Sequence, residues 1–494
     1  MKFNDLRRAA ILRPLLPIGG PFDMITCTFY RDKTGAYHKN GGLPSFTGLA
    51  GAPNTFKTQL ALYFCACVMA RYTHSRFWPH DAENTLTMQR ILSAITWFAE
   101  LAGVDLEECG RLNFSDANTY QGEEWFDALK SLSDAIRKKT DEFLTTPFWD
   151  FRSETYHKMA PPLLSLLDSL SGFTTSVLEK QYDEHDIGDS KLNAIALNTA
   201  RIKSQMLEQM INITGPASIF SIMTVHIGEA YNLKPNQPMF KRLKHLAGDL
   251  KIKKASENFA FYTGITWQTV DWRKMLDGDR LPEFPRSKDD NLKDDTDLLE
   301  VPVKSLRNKY GPSGIQFSMV ISQSEGVKIG LTNYLFLKSF RKPDADSVYY
   351  GIGGNDSNYY LHLLPDVKLT RRSLRSKIDE SHELYTAFEF TQQMAYMQYM
   401  WHNLEHGWLC TPKELYEDIK NKGYDWSILL NSRDYWIFQE ESHPLPELTI
   451  VDLLNMRKGR YHPDWYPKTL KEMGLPDLEP DPWCMISTVP IAMR

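Results

Sequence analysis

The residues best suited to chemistry lie between Gly51 and Thr58, in the segment GAPNTFKT. Their spacing follows the phosphate-binding loop G-x-x-x-x-G-K-[ST], except that Phe56 stands where the second glycine is usual. In such a loop Lys57 contacts the β- and γ-phosphates, and the hydroxyl of Thr58 is a ligand of Mg²⁺. An ordinary turn before a helix is the alternative. The pattern predicts that ATP and Mg²⁺ bind along the loop made of Gly51, Ala52, Pro53, Asn54, Thr55, Phe56, Lys57 and Thr58.

Two acidic positions could complete a site that hydrolyses a nucleotide. The run LLSLLDSLSG at 163–172 predicts an apolar strand that ends in Asp168, where a carboxylate could hold Mg²⁺. Glu83, in the segment DAENTL, could position or deprotonate the attacking water. Each acid also has an ordinary interpretation, because Asp is common where a strand turns and acids are favoured at the start of a helix. Their order behind Lys57 favours a shared site.

The surrounding sequence predicts the elements that must position these residues. An apolar stretch at 46–50 precedes the loop, and QLALYFCACVMA at 59–70 predicts a buried helix after it. Apolar runs alternate with amphipathic stretches over residues 41–270, which is typical of βαβ units. We therefore expect an α/β fold with a twisted, mainly parallel sheet, in a core that spans 41–345.

The rest of the chain divides by composition. Residues 1–40 suggest a short, partly basic arm that could serve oligomerisation. Residues 276–313 are rich in Asp, Pro and Lys, which predicts an exposed, acidic insertion. Residues 315–340 predict two strands around a Ser/Glu/Gly turn. The region 346–494 is expected to be a separate, mostly helical domain, with a helical capping box that begins at Thr411.

Composition and charge limit the classes of protein. The 494 residues carry 57 Lys and Arg against 62 Asp and Glu, so any nucleic-acid site must be a local basic patch. Six cysteines without zinc-type spacing indicate a reduced compartment, and we expect the protein in the cytoplasm. The longest apolar run, 60–70, is too short to span a bilayer, which needs about 20 residues, so we expect no membrane partner.

In their order along the chain, these motifs resemble the RecA recombinase family, including its phage UvsX branch. GGLPSFTGLAGAPNTFKTQLAL at 41–62 resembles the family's phosphate loop, and UvsX-type loops also tolerate Phe before the Lys. The resemblance implies a RecA-like core in which Glu83 and Lys57 are catalytic and Asp168 binds Mg²⁺. SIFSIMTVHIGEAY at 218–231 resembles the strand that ends in a γ-phosphate sensor, here His226.

The resemblance also implies DNA-binding segments. IGDS at 187–190 and the following ARIKSQ resemble the family's first DNA-binding loop and the helix after it, which implies DNA contacts for Ser190, Arg201 and Ser204. Clustered cations further on lie where the family has its second DNA loop, and such clusters bind phosphates without reading sequence. A solvated helix face is the alternative for this cluster, which consists of Lys241, Arg242, Lys244, Lys251, Lys253 and Lys254.

The resemblance covers about residues 41–340. It implies a DNA-dependent ATPase that forms a homo-oligomeric filament on single-stranded DNA and promotes strand exchange in recombination and repair. The chain departs from the family at Thr87 and Arg90, where the family has the Asp and Tyr that flank adenine. It also departs at 322–325, where the family has lysines that reach a neighbour's ATP, and Lys328 is the nearest candidate.

Three other interpretations stay open. Weak or absent ATP turnover would leave a DNA-binding or filament-building accessory protein with the same fold. A hexameric replicative helicase shares that fold but normally brings its own N-terminal domain, whereas only the predicted arm precedes the loop here. HNLEH at 402–406 matches the H-x-x-E-H pattern, in which His402 and His406 hold Zn²⁺ and Glu405 is the base. Gly407 follows at once and is expected to end the helix.

Overall fold

The computed structural model describes ten stretches of the chain. They are residues 13–120, 123–150, 153–174, 191–229, 243–246, 250–253, 259–287, 289–342, 345–400 and 408–479. Within one of them, residues 191–198 are described by their backbone alone. Five of the predicted positions or segments lie outside the described residues, namely Ser190, Lys241, Arg242, Lys254 and the HNLEH segment at 402–406.

The described residues form a mixed α/β structure. Its strands, in chain order, are β1 (Thr28–Arg31), β2 (Tyr37–Asn40), β3 (Phe46–Gly51), β4 (Arg76–Asp81), β5 (Ser115–Asp116), β6 (Leu144–Asp150), β7 (Thr155–Met159), β8 (Leu163–Asp168), β9 (Ile219–Glu229), β10 (Leu250–Ile252), β11 (Ile265–Thr269), β12 (Arg273–Lys274), β13 (Leu298–Asn308), β14 (Gln316–Ser322), β15 (Gly326–Val327), β16 (Ser347–Tyr349), β17 (Ile352–Gly354), β18 (Tyr359–Leu361) and β19 (Leu364–Leu369). Its α-helices are α1 (Gly20–Thr26), α2 (Lys57–Arg71), α3 (Met88–Ile95), α4 (Glu124–Lys138), α5 (Lys191–Thr214), α6 (Phe259–Tyr262), α7 (Ile329–Lys338), α8 (Leu374–Glu380), α9 (His382–Met400), α10 (Pro412–Asn421), α11 (Trp426–Leu430) and α12 (Ile450–Lys458).

A large central sheet organises the molecule. Its parallel half has the strand order β11-β3-β9-β8-β4-β5, and the predicted mainly parallel sheet of an α/β fold is confirmed. The two predicted strands at 46–50 and 163–168 and the helix at 59–70 are present. Because parallel strands place their carboxyl ends at one edge of the sheet, the residues that follow β3, β4, β8 and β9 meet there.

The other half of the sheet is antiparallel and was predicted less well. β13 lies inside the segment 276–313 and is paired with β11 on one side and β14 on the other. Most of its apolar side chains are buried. The prediction of an exposed insertion is therefore wrong from Leu298 onward. An acidic run directly before the strand hid the apolar alternation of LLEVPV.

The segment 315–340 also differs from its prediction. β14 and the turn after it are present, but the second predicted strand is the short β15 followed by the helix α7. α7 is buried on nearly all sides, so its sequence lacks the amphipathic period that separates a helix from a buried strand.

The described part of the predicted N-terminal arm, which begins at residue 13, contributes to the interior of the molecule. From Leu15 to Phe29 nearly every residue is buried, and α1 packs against α7 and α9. The side chain of Lys39 has no exposed surface, and its ammonium lies 3.1 Å from Asp23 and pairs with Asp434 as well. This ion-paired cluster of Asp23, Lys39 and Asp434 joins two parts of the chain that are about 400 residues apart.

The region after residue 345 begins with an antiparallel sheet that was not predicted. β16, β17, β18 and β19 pair in that order, and the helices α8 to α12 follow. The predicted capping box at Thr411 is confirmed, because its hydroxyl accepts a hydrogen bond from the backbone N–H of Glu414, and the Glu414 carboxylate accepts one from the backbone N–H of Thr411. One continuous hydrophobic core runs from Leu16 to Tyr466, so this region and the central sheet share their interior.

We expect Lys39→Ala to lower the free energy of unfolding by about 3–5 kcal/mol, because it leaves the carboxylates of Asp23 and Asp434 buried without their cation. Urea unfolding followed by circular dichroism measures this loss. Lys471→Ala, at an exposed lysine, is the matched control and should change stability little. A loss below about 1 kcal/mol for Lys39→Ala would show that the buried cluster does not stabilise the fold.

Candidate nucleotide-binding site

The loop between β3 and α2 contains two residues with left-handed backbone, one of them Phe56, which stands where the motif usually has glycine. Phe56 has φ 64° and ψ 23°, in the left-handed region that glycine adopts without steric cost. Asn54, with φ 60°, is left-handed as well. The Phe56 ring packs edge-on against Trp272, with ring centroids 6.0 Å apart. The loop therefore keeps a glycine-like turn at a phenylalanine whose ring has a packing partner.

Gly51 is required by close contacts. A Cβ at this position would lie 2.4 Å from Thr269 Oγ1 and 2.5 Å from Thr55 Oγ1. Those two hydroxyls are 2.8 Å apart and hydrogen-bond each other, and that of Thr55 also lies 2.8 Å from the carbonyl oxygen of Ala52, to which it can donate. The hydroxyl pair thus ties the phosphate loop to the end of the neighbouring strand β11.

Lys57 begins α2 and is largely buried. Its ammonium donates to the carbonyl oxygen of Ala52 at 2.7 Å, so the side chain folds back over its own loop. Burial lowers the pKa of Lys57, and the charges of Asp168 and Glu83 act in the opposite direction. A cation held in this place by one carbonyl can exchange that partner for an anionic ligand above the loop.

Thr58 and Asp168 meet across two neighbouring elements. The Thr58 hydroxyl donates to Asp168 Oδ2 at 2.7 Å. The other carboxylate oxygen, Oδ1, accepts a short hydrogen bond from the buried hydroxyl of Thr224 on β9. A hydroxyl and a carboxylate are hard oxygen donors, the type that Mg²⁺ prefers, so these residues fit the ion together with phosphate oxygens.

Glu83 lies beside Thr58 and Asp168, two residues after the end of β4. Its Oε1 accepts a short hydrogen bond from the hydroxyl of Ser169 and lies 3.0 Å from His226 Nε2. Both Glu83 and His226 remain about a quarter exposed, which leaves them accessible to water. Asp81 fixes the turn, because its carboxylate accepts hydrogen bonds from the backbone N–H groups of Glu83 and Leu86.

His226 is connected to the segments on either side of it. Its backbone N–H donates to the hydroxyl of Ser171 at 2.9 Å, and its carbonyl oxygen accepts from the N–H of Lys253 at 2.8 Å. Its Nδ1 is buried and has no hydrogen-bond partner among the described residues. Nε2 is therefore the ring nitrogen through which His226 contacts Glu83.

Only some of the residues that were predicted to contact DNA belong to the described part of the chain. Arg201 is exposed and Ser204 half-buried on α5, while Lys244 and the β10 residue Lys251 are exposed. Lys253 is exposed beside His226, so one predicted basic residue adjoins the nucleotide site.

The two departures from the family have local explanations in the structure. Thr87 caps α3, since its hydroxyl accepts a hydrogen bond from the backbone N–H of Arg90. Lys328 is paired within its own chain, with Glu325 at 2.9 Å and Asp379 at 2.8 Å. The ammonium of Lys328 therefore already forms two ion pairs within its own chain.

Sequence reasoning missed four hydroxyl residues that hold the site together, namely Ser169, Ser171, Thr224 and Thr269. A signal existed for two of them, because SLS directly follows the acid at the end of β8. Thr224 lies two residues before His226 and therefore on the same face of β9. The contact of Thr224 with Asp168 follows only from the register of β8 against β9, which the sequence does not give.

No protein-family model matches the chain, and no curated protein matches it. Within the described ranges, no group of three or more His, Cys, Asp and Glu side chains is arranged to hold a metal ion. In the same part of the chain, every helix is too short or too polar to cross a bilayer.

We expect Gly51→Ala to destabilise the protein by about 1–3 kcal/mol, because the new methyl group overlaps the Thr55 and Thr269 hydroxyls. Thermal unfolding measures the change. Gly278→Ala is the control, since a Cβ there meets nothing within 4 Å. Equal melting temperatures for the two variants would mean that the loop is less tightly packed than these contacts require.

Proposed function

We propose that the protein is a DNA-dependent ATPase with a RecA-like core, which assembles on single-stranded DNA and promotes strand exchange. The observation that carries the proposal is the 2.7 Å hydrogen bond between Thr58 and Asp168. It brings the start of the phosphate-loop helix and a strand-end carboxylate together at the edge where Glu83 and His226 also lie. Four residues with complementary roles in phosphoryl chemistry therefore converge from four elements.

ATP would bind with its phosphates over the loop from Gly51 to Thr58. The backbone N–H groups there and the N-terminus of α2 attract anions, and Lys57 supplies a mobile positive charge. Mg²⁺ would be held by Thr58 and Asp168, and when bound it neutralises charge on the β- and γ-phosphate oxygens. Asp168 is fixed for this role by hydrogen bonds to both of its oxygens.

Glu83 is the residue that we assign to the attacking water. Ser169 and His226 both contact its Oε1, so Oε2 is the oxygen free of these two contacts and able to accept a proton from water. His226 contacts Glu83 on one side and continues into the segment after β9 on the other. A γ-phosphate that draws the imidazole away from Glu83 would thereby move the backbone that follows it.

Single-stranded DNA is the partner that we propose for the basic segment after β9. Lys251 and Lys253 lie on and next to β10, which pairs with the end of β9 close to His226. Exposed lysines bind the phosphate backbone with little sequence preference and strong salt dependence. Their position next to the proposed γ-phosphate sensor supports a link between nucleotide state and DNA affinity.

Self-association is the other part of the proposal, and the β5 edge of the central sheet suits it best. Among the residues that the structure describes, β5 pairs with β4 on one side and has no strand on the other. Beside it lies a cavity of about 340 Å³ whose apolar lining includes Trp78, Tyr120 and Leu132. An open sheet edge next to an apolar cavity is typical of surfaces that receive another chain.

One observation favours a second candidate, an accessory protein that binds ATP and DNA but turns over ATP weakly. Lys328 was the nearest candidate to reach a neighbour's ATP, and its two ion pairs hold it within its own subunit. If no other cation replaces it, a filament interface would lack positive charge at the γ-phosphate. Such a protein would bind ATP without DNA-stimulated hydrolysis.

We expect Lys57→Ala to abolish ATP binding, and Glu83→Gln to bind ATP normally while losing DNA-stimulated hydrolysis by about 100-fold or more. Phosphate release with and without single-stranded DNA, together with binding of a fluorescent ATP analogue, separates the two effects. Normal hydrolysis by Lys57→Ala would contradict the assigned site. If the wild-type protein binds ATP and DNA but hydrolyses no ATP, the result would instead support the second candidate, an accessory protein.

We expect Leu132→Glu to prevent filament assembly, because it places a charge in the apolar cavity beside β5. Negative-stain electron microscopy on single-stranded DNA measures the filaments and also distinguishes them from the closed rings of a helicase. Lys130→Glu, at an exposed position on the same helix, is the control. Undisturbed filaments in a folded Leu132→Glu protein would exclude the β5 edge as the contact.

A further inference from the structure

We infer that Thr224 is a positioning residue, which sets the Mg²⁺ affinity of the site by fixing the orientation of Asp168. The inference rests on the proposed nucleotide function and adds a residue to it. Thr224 lies on β9, level with Asp168 on the parallel strand β8, since Leu167 and Met223 are paired immediately before them. Its side chain has no exposed surface.

The two oxygens of Asp168 have different partners. Oδ2 accepts from Thr58, which lies on the nucleotide side, and Oδ1 accepts from Thr224, which lies in the interior of the sheet. The terminal torsion of an Asp side chain is broad when nothing holds it. The hydroxyl of Thr224 removes that freedom and keeps Oδ2 directed toward Thr58, where a metal ligand is required.

The bond also matters because Asp168 is buried. A buried carboxylate oxygen without a donor is unfavourable, and it would turn toward whatever donor or water remains. Residues that hydrogen-bond a metal ligand typically change metal affinity by about 10- to 100-fold when they are removed. Thr224 occupies this place for Asp168 without touching the nucleotide side itself.

The position of Thr224 on β9 gives the bond a second consequence. Thr224 and His226 are two residues apart and face the same side of the sheet, so one strand contacts both Asp168 and Glu83. The carbonyl oxygen of Thr224 also accepts from the N–H of Leu170, just past Asp168. The carboxylate for the metal and the sensor for the phosphate therefore share one rigid support.

A buried threonine could instead be present only to fill the sheet, and the two roles predict different results. Thr224→Val keeps the shape and removes the hydroxyl, while Thr224→Ser keeps the hydroxyl and removes the methyl group. Ser221→Ala is a matched control, because Ser221 is on the same strand, is fully buried, and has a hydroxyl without a partner among the described residues.

The experiment measures binding of a fluorescent ATP analogue at increasing Mg²⁺ concentration, with binding in EDTA as the metal-free reference. We expect Thr224→Val to require about 10-fold or more Mg²⁺ for half-maximal binding, with unchanged affinity in EDTA. Thr224→Ser and Ser221→Ala should stay within about threefold of the wild type. The wild-type Mg²⁺ dependence in a folded Thr224→Val protein would overturn the inference.

Two further outcomes keep the inference separate from the proposed function. If the wild type binds no nucleotide at any Mg²⁺ concentration, the proposed function fails, and this inference fails with it. If Thr224→Val does not fold, as shown by its circular dichroism, Thr224→Ala takes its place with the same expected shift. A folded Thr224→Ser protein that requires as much Mg²⁺ as Thr224→Val would show that the hydroxyl is not the group responsible.

Discussion

The parallel register of the central sheet is the constraint on which the candidate site depends. Gly51 is paired with His226 and with Thr269, and Asp81 is paired with Asp168, so these residues lie at the same edge of the sheet, the second pair two residues further back. Each residue needs only to follow its own strand to reach the same edge. The hydrogen bonds between Thr58 and Asp168 and between His226 and Glu83 then form across elements that are distant in sequence.

A second feature is the way in which hydroxyl groups connect the charged residues of the site. Ser169 holds Glu83, Thr224 holds Asp168, and Ser171 holds the backbone of His226. Hydroxyls suit this role because they donate and accept in a small volume without adding charge. These hydrogen bonds orient the two carboxylates and fix the strand that carries His226.

The sequence was sufficient for features that depend on neighbouring residues, such as the helix after Phe56, the strand before Asp168 and the cap at Thr411. It was insufficient where distant segments decide the outcome. The role of Thr224 depends on the register of two strands, and that of Lys39 on a partner about 400 residues away. α7 is buried on nearly every side, so its sequence lacks the periodicity that identifies a helix.

The buried cluster of Asp23, Lys39 and Asp434 has a consequence for how the chain folds as it is synthesised. The segment that contains α1 and Lys39 is translated hundreds of residues before its ion-pair partner Asp434 and before the helix α9 that packs on α1. Until then Lys39 lacks its ion pair with Asp434, and α1 lacks its packing against α9. Lys39 and α1 can therefore reach their native contacts only after the chain has been translated as far as Asp434.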